Sequence, residues 1–409
     1  MLTTFIGTRG ERRLRGPGLA LLAWLLSTST VHAQPGAWTP ATPLPEAQHE
    51  PGVGVVNGVL YAVGGGNASG VVATVQAYDP DSDTWTIKAP MPTARGGAAV
   101  AVVDGILYAV GGSNPDISLW LQTVEAYDAA TDCWISVAPM PTPRDSPAVG
   151  VLNGILYVAG GSSSEGYLST VEAYDPTTNS WTSKAAMPTP RASAAGGVVT
   201  GMFYVAGGWT GPSVLATVEA YNPLTDSWST IADLPTPRHG HAVDVVNEIL
   251  YAVGGYGNSE VLATVEAYDA ASNSWTVATP MASARYGLAS GVVNGVLYAV
   301  GGRTDDANSD IVATNEAFAP DATAPTDSTA PIVSVPEGVT IDATGPDGAI
   351  VTFAATASDP DDAVGPVICS HDSGSVFPLG ATSVTCSSSD THGNTGNSTF
   401  VVTVTSPAL

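Results

Sequence analysis

Apolar residues in this chain come in short bursts bounded by turn residues. The most regular burst is a five-residue run closed by two glycines. It reads "VLYAVGG" at 59–65 and recurs with small changes, ending at Gly112, Gly161, Gly208, Gly255 and Gly302. The steps between copies are 47, 49, 47, 47 and 47 residues. Each copy is followed by a phrase of the type "TVEAYD", centred on Tyr78, Tyr127, Tyr174, Tyr221, Tyr268 and Phe318. Seven residues after each of the five tyrosines stands a tryptophan: Trp85, Trp134, Trp181, Trp228 and Trp275. Self-similarity at this period, made of short apolar runs, predicts a propeller or a solenoid.

Each repeat reads as four strands. The first ends in a two-residue turn, Asn57-Gly58, Asp104-Gly105, Asn153-Gly154 or Asn294-Gly295, dipeptides that favour a type I′ hairpin. Asn247-Glu248 breaks this rule in the fifth repeat. The second strand is the glycine-terminated run, the third is "VEAY", and the fourth begins at the tryptophan. The proline-rich link "MPTP" then lies outside the sheet, because proline cannot join a central ladder. The last repeat stops at "EAFAP" (316–320) without a tryptophan strand, whereas "AWTPATPLP" near the N-terminus offers Trp38 with no repeat before it. The two halves make one blade, so the pattern predicts a closed ring of six blades with no exposed sheet edge. The glycine pair, the following tyrosine and the spaced tryptophan resemble kelch repeats over residues 34–320. That resemblance implies an all-β, six-bladed propeller with the first strand of each blade innermost, and leaves function open.

Residues 321–330 read as a linker by composition. Beyond them the period disappears, and short β-rich runs with turn signals predict a small β-sandwich over 331–406. "TAPIVSVPEGVTIDATGPDGAIVTF" and "FPLGATSVTCSSSDTHGNTG" resemble the hyalin repeat, an immunoglobulin-like extracellular module. In that family the two cysteines bridge, which implies a Cys369–Cys386 disulfide and a role in adhesion or interaction. Asp359, Asp361, Asp362 and Asp390 are read as turn residues rather than a calcium site.

Charge changes the picture in two ways. Residues 1–33 carry Arg9, Arg12, Arg13 and Arg15 ahead of an apolar run and end in "VHA", the pattern of a secretory signal cleaved after Ala33. Without that segment, 8 basic and 36 acidic residues remain, net −28. The expectation is a secreted, cell-surface or periplasmic monomer that repels nucleic acid and does not insert in a membrane. Second, the scarce arginines repeat. Arg95, Arg144, Arg191, Arg238 and Arg285 each lie thirteen residues before the tyrosine of the glycine-terminated run. Repeats with that arginine also carry Glu125, Glu172, Glu219, Glu266 or Glu316, while the first repeat has Gln48 and Gln76. The shared loss predicts structural Arg/Glu pairs. The strand order also places the arginines round one mouth of the channel, where a paired guanidinium retains donors for a ligand.

Departures from the repeat mark a candidate ligand face, made of the links between fourth and first strands and the loops between second and third strands. Trp120 and Trp209 fall in those loops outside the blade pattern. Tyr256 and Arg303 follow the glycine pair, and His49, His239 and Tyr286 follow the arginine position. With Arg238 and Arg285 they form the expected binding set for an extracellular glycan or protein partner. Cys133 stands before Trp134 and is read as a small turn residue, with a free thiol for intermolecular pairing as the alternative. His239 and His241 share a strand face with no third ligand evident, so neither metal nor cofactor is expected. The arginine-rich face also resembles kelch-type sugar epimerases that act on sialic acid, which implies an enzyme for an acidic sugar as the alternative. No carboxylate stands out from the repeat as its acid or base, and no catalytic residue is assigned.

Overall fold

The computed structural model describes residues 36–305, 310–320, 330–359, 364–389 and 394–406. The segment expected as a cleaved signal, with Ala33, linker residues 321–329, and Asp361, Asp362 and Asp390 lie outside the described residues.

Every regular element among the described residues is a strand, and six four-stranded antiparallel sheets form the blades. The first blade is Gly52–Val56, Val59–Val63, Val75–Asp79 and Thr84–Lys88, in that order from the axis outward. The next four blades repeat this order. The inner strands Gly52–Val56, Ala99–Val103, Ala148–Leu152, Ala195–Val199, Ala242–Val246 and Ala289–Val293 touch their neighbours in a closed cycle. The sixth blade takes its outer strand, Trp38–Ala41, from the N-terminal side of the chain, with Trp38 opposite Phe318.

The repeated aromatic residues explain why the blades stack. The five tyrosines are fully buried, and each donates its hydroxyl to an Asp or Asn five residues on, as Tyr78 does to Asp83 at 2.8 Å. Each outer-strand indole donates to a carbonyl of the preceding blade: Trp134 to Ala89, Trp181 to Ala138, Trp228 to Ala185 and Trp275 to Ala232, all at 2.9 Å. Trp38 makes the same bond to Thr279 at 2.9 Å and stacks on Phe318. The closing strand thus reproduces the interblade contact of a continuous repeat.

Two local expectations change. Asn247 and Glu248 adopt φ of 50° and 61°, the same left-handed pair seen at Asn57 and Gly58 (51° and 78°). The hairpin geometry demanded by the flanking strands overrides the preference for glycine, at the cost of a side chain held at positive φ. Cys133 is not a turn residue: it opens the outer strand Cys133–Val137, opposite Asp128, and is exposed with a free thiol.

The C-terminal unit is a separate set of short strands from Ile332 to Thr405, dominated by the long antiparallel pair Gly380–Ser389 and Thr395–Thr405. Its core holds Val333, Val351, Phe377, Val384, Phe400, Val402 and Val404. Cys369 and Cys386 sit directly opposite one another on paired strands and are disulfide-bonded. No helix among the described residues is long and apolar enough to cross a membrane.

Candidate functional site

The arginines sit on the interblade seams, out of water. Arg95, Arg144, Arg191, Arg238 and Arg285 are each 0% exposed. Each contacts Glu125, Glu172, Glu219, Glu266 or Glu316 respectively, at 3.0 Å for Arg95 and 2.8 Å for Arg144. Arg95 also donates to the carbonyls of Gly111 and Thr123 within its own blade. Its backbone carbonyl meanwhile accepts from Gly65 of the preceding blade at 2.8 Å. The glycine pair permits that approach, since a Cβ on Gly64 would lie 2.5 Å from the same carbonyl oxygen. Burial pushes each guanidinium below its ordinary pKa, and the partner carboxylate pushes back. The arginines are therefore interblade fasteners. Arg238 and Arg285, expected also at the ligand surface, have no exposed surface to offer. In the first blade Gln48 bonds Thr74, and Gln76 bonds the Glu46 backbone, so the two glutamines replace the ion pair by separate hydrogen bonds.

Two residues beyond each arginine position lies a feature that the sequence reading missed. Glu50, Gly97, Ser146, Ser193, Gly240 and Gly287 all take φ between 50° and 60°. Each donates its backbone N–H to the carbonyl of the one before, and the cycle closes from Glu50 to Gly287 at 2.6 Å. This collar of six residues, one per blade, narrows the axial channel at the arginine end. Glycine or serine two residues after five arginines was the available signal. Positive φ favours glycine, and Glu50 is the lone bulky departure among the six.

Around the collar, the residue after each arginine position pairs with the residue after the glycine pair of the same blade. The pairs are His49–Gly66, Gly96–Ser113, Asp145–Ser162, Ala192–Trp209, His239–Tyr256 and Tyr286–Arg303. Most of the expected binding set is thereby brought together. Trp209, 40% exposed, stacks on His239 with centroids 5.6 Å apart and touches Tyr167 on another side. His239 meets Tyr256, and Tyr256 meets Tyr286 edge-on at 5.5 Å. Arg303 reaches His49, Nη2 to Nε2, at 2.6 Å. These contacts form one arc over blades three, four, five, six and one. Trp120 belongs to the second blade, on the side away from the arc, and shares no ring contact among the described residues. Clefts of about 610 and 390 Å³ flank the loop that follows Arg303, one lined by Arg303, Asn67 and Glu46, the other by Tyr256, Glu260 and Asp305.

The face also carries acid groups that the repeat comparison passed over. Asp145 is pushed up to about 7, first by burial and then by the charge of Glu50, with hydrogen bonds from Ser146 and Ser113 opposing. Glu50 is recessed yet half open to water, and it too is raised by desolvation while Arg303 draws it down. His49 is pushed down to about 4 by burial and by Arg303, so it is neutral near pH 7. His241 is buried with both ring nitrogens unpartnered, well away from a metal-ligand geometry, and no group of three or more ligating side chains occurs among the described residues. Inside the channel, of about 310 Å³, Asp244 is held near 6 by burial and accepts a hydrogen bond from Ser290.

Against known proteins, a family model described as Attractin/LZTR1 beta-propeller matches residues 60–312, and one described as HYR domain matches 326–404. A comparison with curated proteins finds no match. Among solved structures, a chain titled "Structure of YjhT" is similar with a TM-score of 0.59 and 18% identity, covering 67% of this chain and 95% of that one. At that identity the likeness is one of fold.

Proposed function

This chain belongs to the Attractin/LZTR1 β-propeller family and ends in a HYR domain, and from that premise we propose an exported, non-enzymatic binding or adhesion protein whose propeller presents one face to a glycan or protein partner. The observation that carries this reading is the aromatic arc Trp209–His239–Tyr256–Tyr286, built on positions where other blades have Gly66, Gly96, Ser113, Ser162 and Ala192 as well as the polar His49, Asp145 and Arg303. An exposed, laterally supported tryptophan is the type of anchor that dominates recognition energetics. The HYR module, its disulfide and the signal-like N-terminus support an extracellular setting. Trp209→Ala should leave the melting temperature within about 2 °C, because the ring is not part of a blade core. It should also remove binding to whichever hit a combined glycan and peptide array returns. Unchanged array binding would move the ligand face elsewhere.

The second reading, an enzyme acting on an acidic sugar, gains one observation and loses another. Asp145, near neutrality, is the type of group that acts as a general acid at pH 7. The buried arginines, however, leave Arg303 as the cation at this surface among the described residues. Polarimetry on reducing uronic acids with wild type and Asp145→Asn decides it: a rate that the variant loses favours the enzyme, and no rate above buffer rejects it.

A further inference from the structure

The charge of the ligand face is opposite to the one that five repeated arginines suggest. Those arginines are buried against glutamates, so they contribute no cation to a ligand. Arg303 sits at one side of the face against His49. Over the collar stand Glu50 and, in the third blade, Asp145. A Cβ added to Gly97 of the collar would lie 2.3 Å from Asp145 Oδ1, and one added to Gly287 would lie 3.3 Å from Glu50 Cγ, so each acid stands over a collar glycine, with the charge of Glu50 felt by Asp145. Glu50 stands where every other blade has glycine or serine, and Asp145 where its neighbours have Gly96 and Ala192. Asp145 Oδ1 is nearly inaccessible and has no hydrogen-bond donor among the described residues. Asp145 pairs with Ser162 and Ser162 with Tyr167, whose ring touches Trp209, itself stacked on His239, so the indole stands one blade on from Asp145.

Resting on the reading of this face as the ligand face, we propose that the surface over the collar receives the ammonium or guanidinium end of a lysine or arginine side chain from a protein partner. Two carboxyls and an indole face form the chemistry that holds a desolvated cation, by charge and by cation–π attraction. A single basic side chain fits better than a sugar chain. His239, Tyr256 and Tyr286 spend their ring surfaces on one another and are half-buried, so Trp209, 40% exposed, is the most accessible of these four rings. The surrounding field agrees, since the chain after residue 33 carries net −28 and steers basic partners inward.

The groups facing Asp145 are Glu50, Ser146 and Ser113. Those facing Glu50 are His49 and Arg303, with Tyr286 and Asp305 beyond. Asp145 is partly protonated near pH 7, so a bound cation expels that proton. Affinity for a cation then rises with pH, affinity for an anion falls, and a neutral ligand is indifferent.

The test uses the full-length protein and three probes of equal length: a labelled lysine-rich peptide, a glutamate-rich peptide and an uncharged N-acetylglucosamine oligomer. The lysine peptide should bind about tenfold more tightly at pH 8 than at pH 5.5, with proton release in calorimetry. Asp145→Asn should weaken it about tenfold and flatten the pH profile, Trp209→Ala should weaken it comparably, and Asp104→Asn, in a turn on the opposite face, should leave it unchanged. Preference for the glutamate peptide or the N-acetylglucosamine oligomer, lost in Trp209→Ala, keeps the face and overturns the cation. Lysine-peptide binding that neither Asp145→Asn nor Trp209→Ala alters overturns both. Absence of binding by all three probes overturns the proposal.

Discussion

His241 is a polar side chain in a place that the fold treats as apolar. Its ring packs under Gly207 and Gly255 as Leu288 packs under Gly254 and Gly302 in the next blade. Neither ring nitrogen has a partner, and burial, with help from the charge of Arg238, holds its pKa well below 6.5. The unfolded chain takes up a proton there below about pH 6.5 while the native chain does not, so this residue removes stability as pH falls. His241→Leu should therefore stabilise the propeller by about 1–3 kcal/mol at pH 7. The advantage should widen by about 1.4 kcal/mol per pH unit below 6.5. Urea titrations at pH 7.5 and 5 check this, and a gap that does not change with pH would show that the imidazole is solvated in the native state. Asp145 and Asp244 act with the opposite sign. Their raised values mean that the native state binds protons first, so they add stability as pH falls from about 7 toward 4.

At the scale of the blade, the question is what holds one sheet to the next. Three repeated devices do so: the Arg/Glu pair near the axis, the packed tyrosine in mid-blade, and the tryptophan-to-carbonyl bond at the rim. The ion pair is the costly one to break in half, because a buried carboxylate without its guanidinium loses more than the pair contributes. Arg191→Gln should cost about 3–5 kcal/mol. Adding Glu219→Gln should add little further loss, since the first blade already works with Gln48 and Gln76. A double-mutant cycle by chemical denaturation reads the coupling, and additive losses would mean that the two side chains act independently.

For the whole molecule, closure is the decisive property. The strand Trp38–Ala41 pairs with Asn315–Phe318, Leu44 is buried beside it, and the Trp38 indole repeats the rim bond. Deleting residues 34–45 should leave an unpaired edge on the sixth blade and produce aggregation or a melting temperature lower by more than 10 °C. Equal melting of truncated and full-length protein would show that the ring closes without this strand.

Repeat period, strand count, closure and the Arg/Glu pairing were legible from residue order alone. Each follows from local pattern, and six copies within one chain supply their own controls: what varies together, as Arg and Glu do, must touch. The positions of Trp209, Tyr256, Tyr286, Arg303 and His49 on one face followed from strand order. Tertiary structure decided what order cannot encode. It placed the arginine side chains inside the seams rather than at the mouth, because their direction depends on the neighbouring blade. It gave Asn247-Glu248 the turn of its glycine counterparts, because the flanking strands leave one geometry. It also joined Glu50 to five glycines and serines in a closed collar and set Asp145 beside it, contacts that span the ring and arise once six blades meet about one axis.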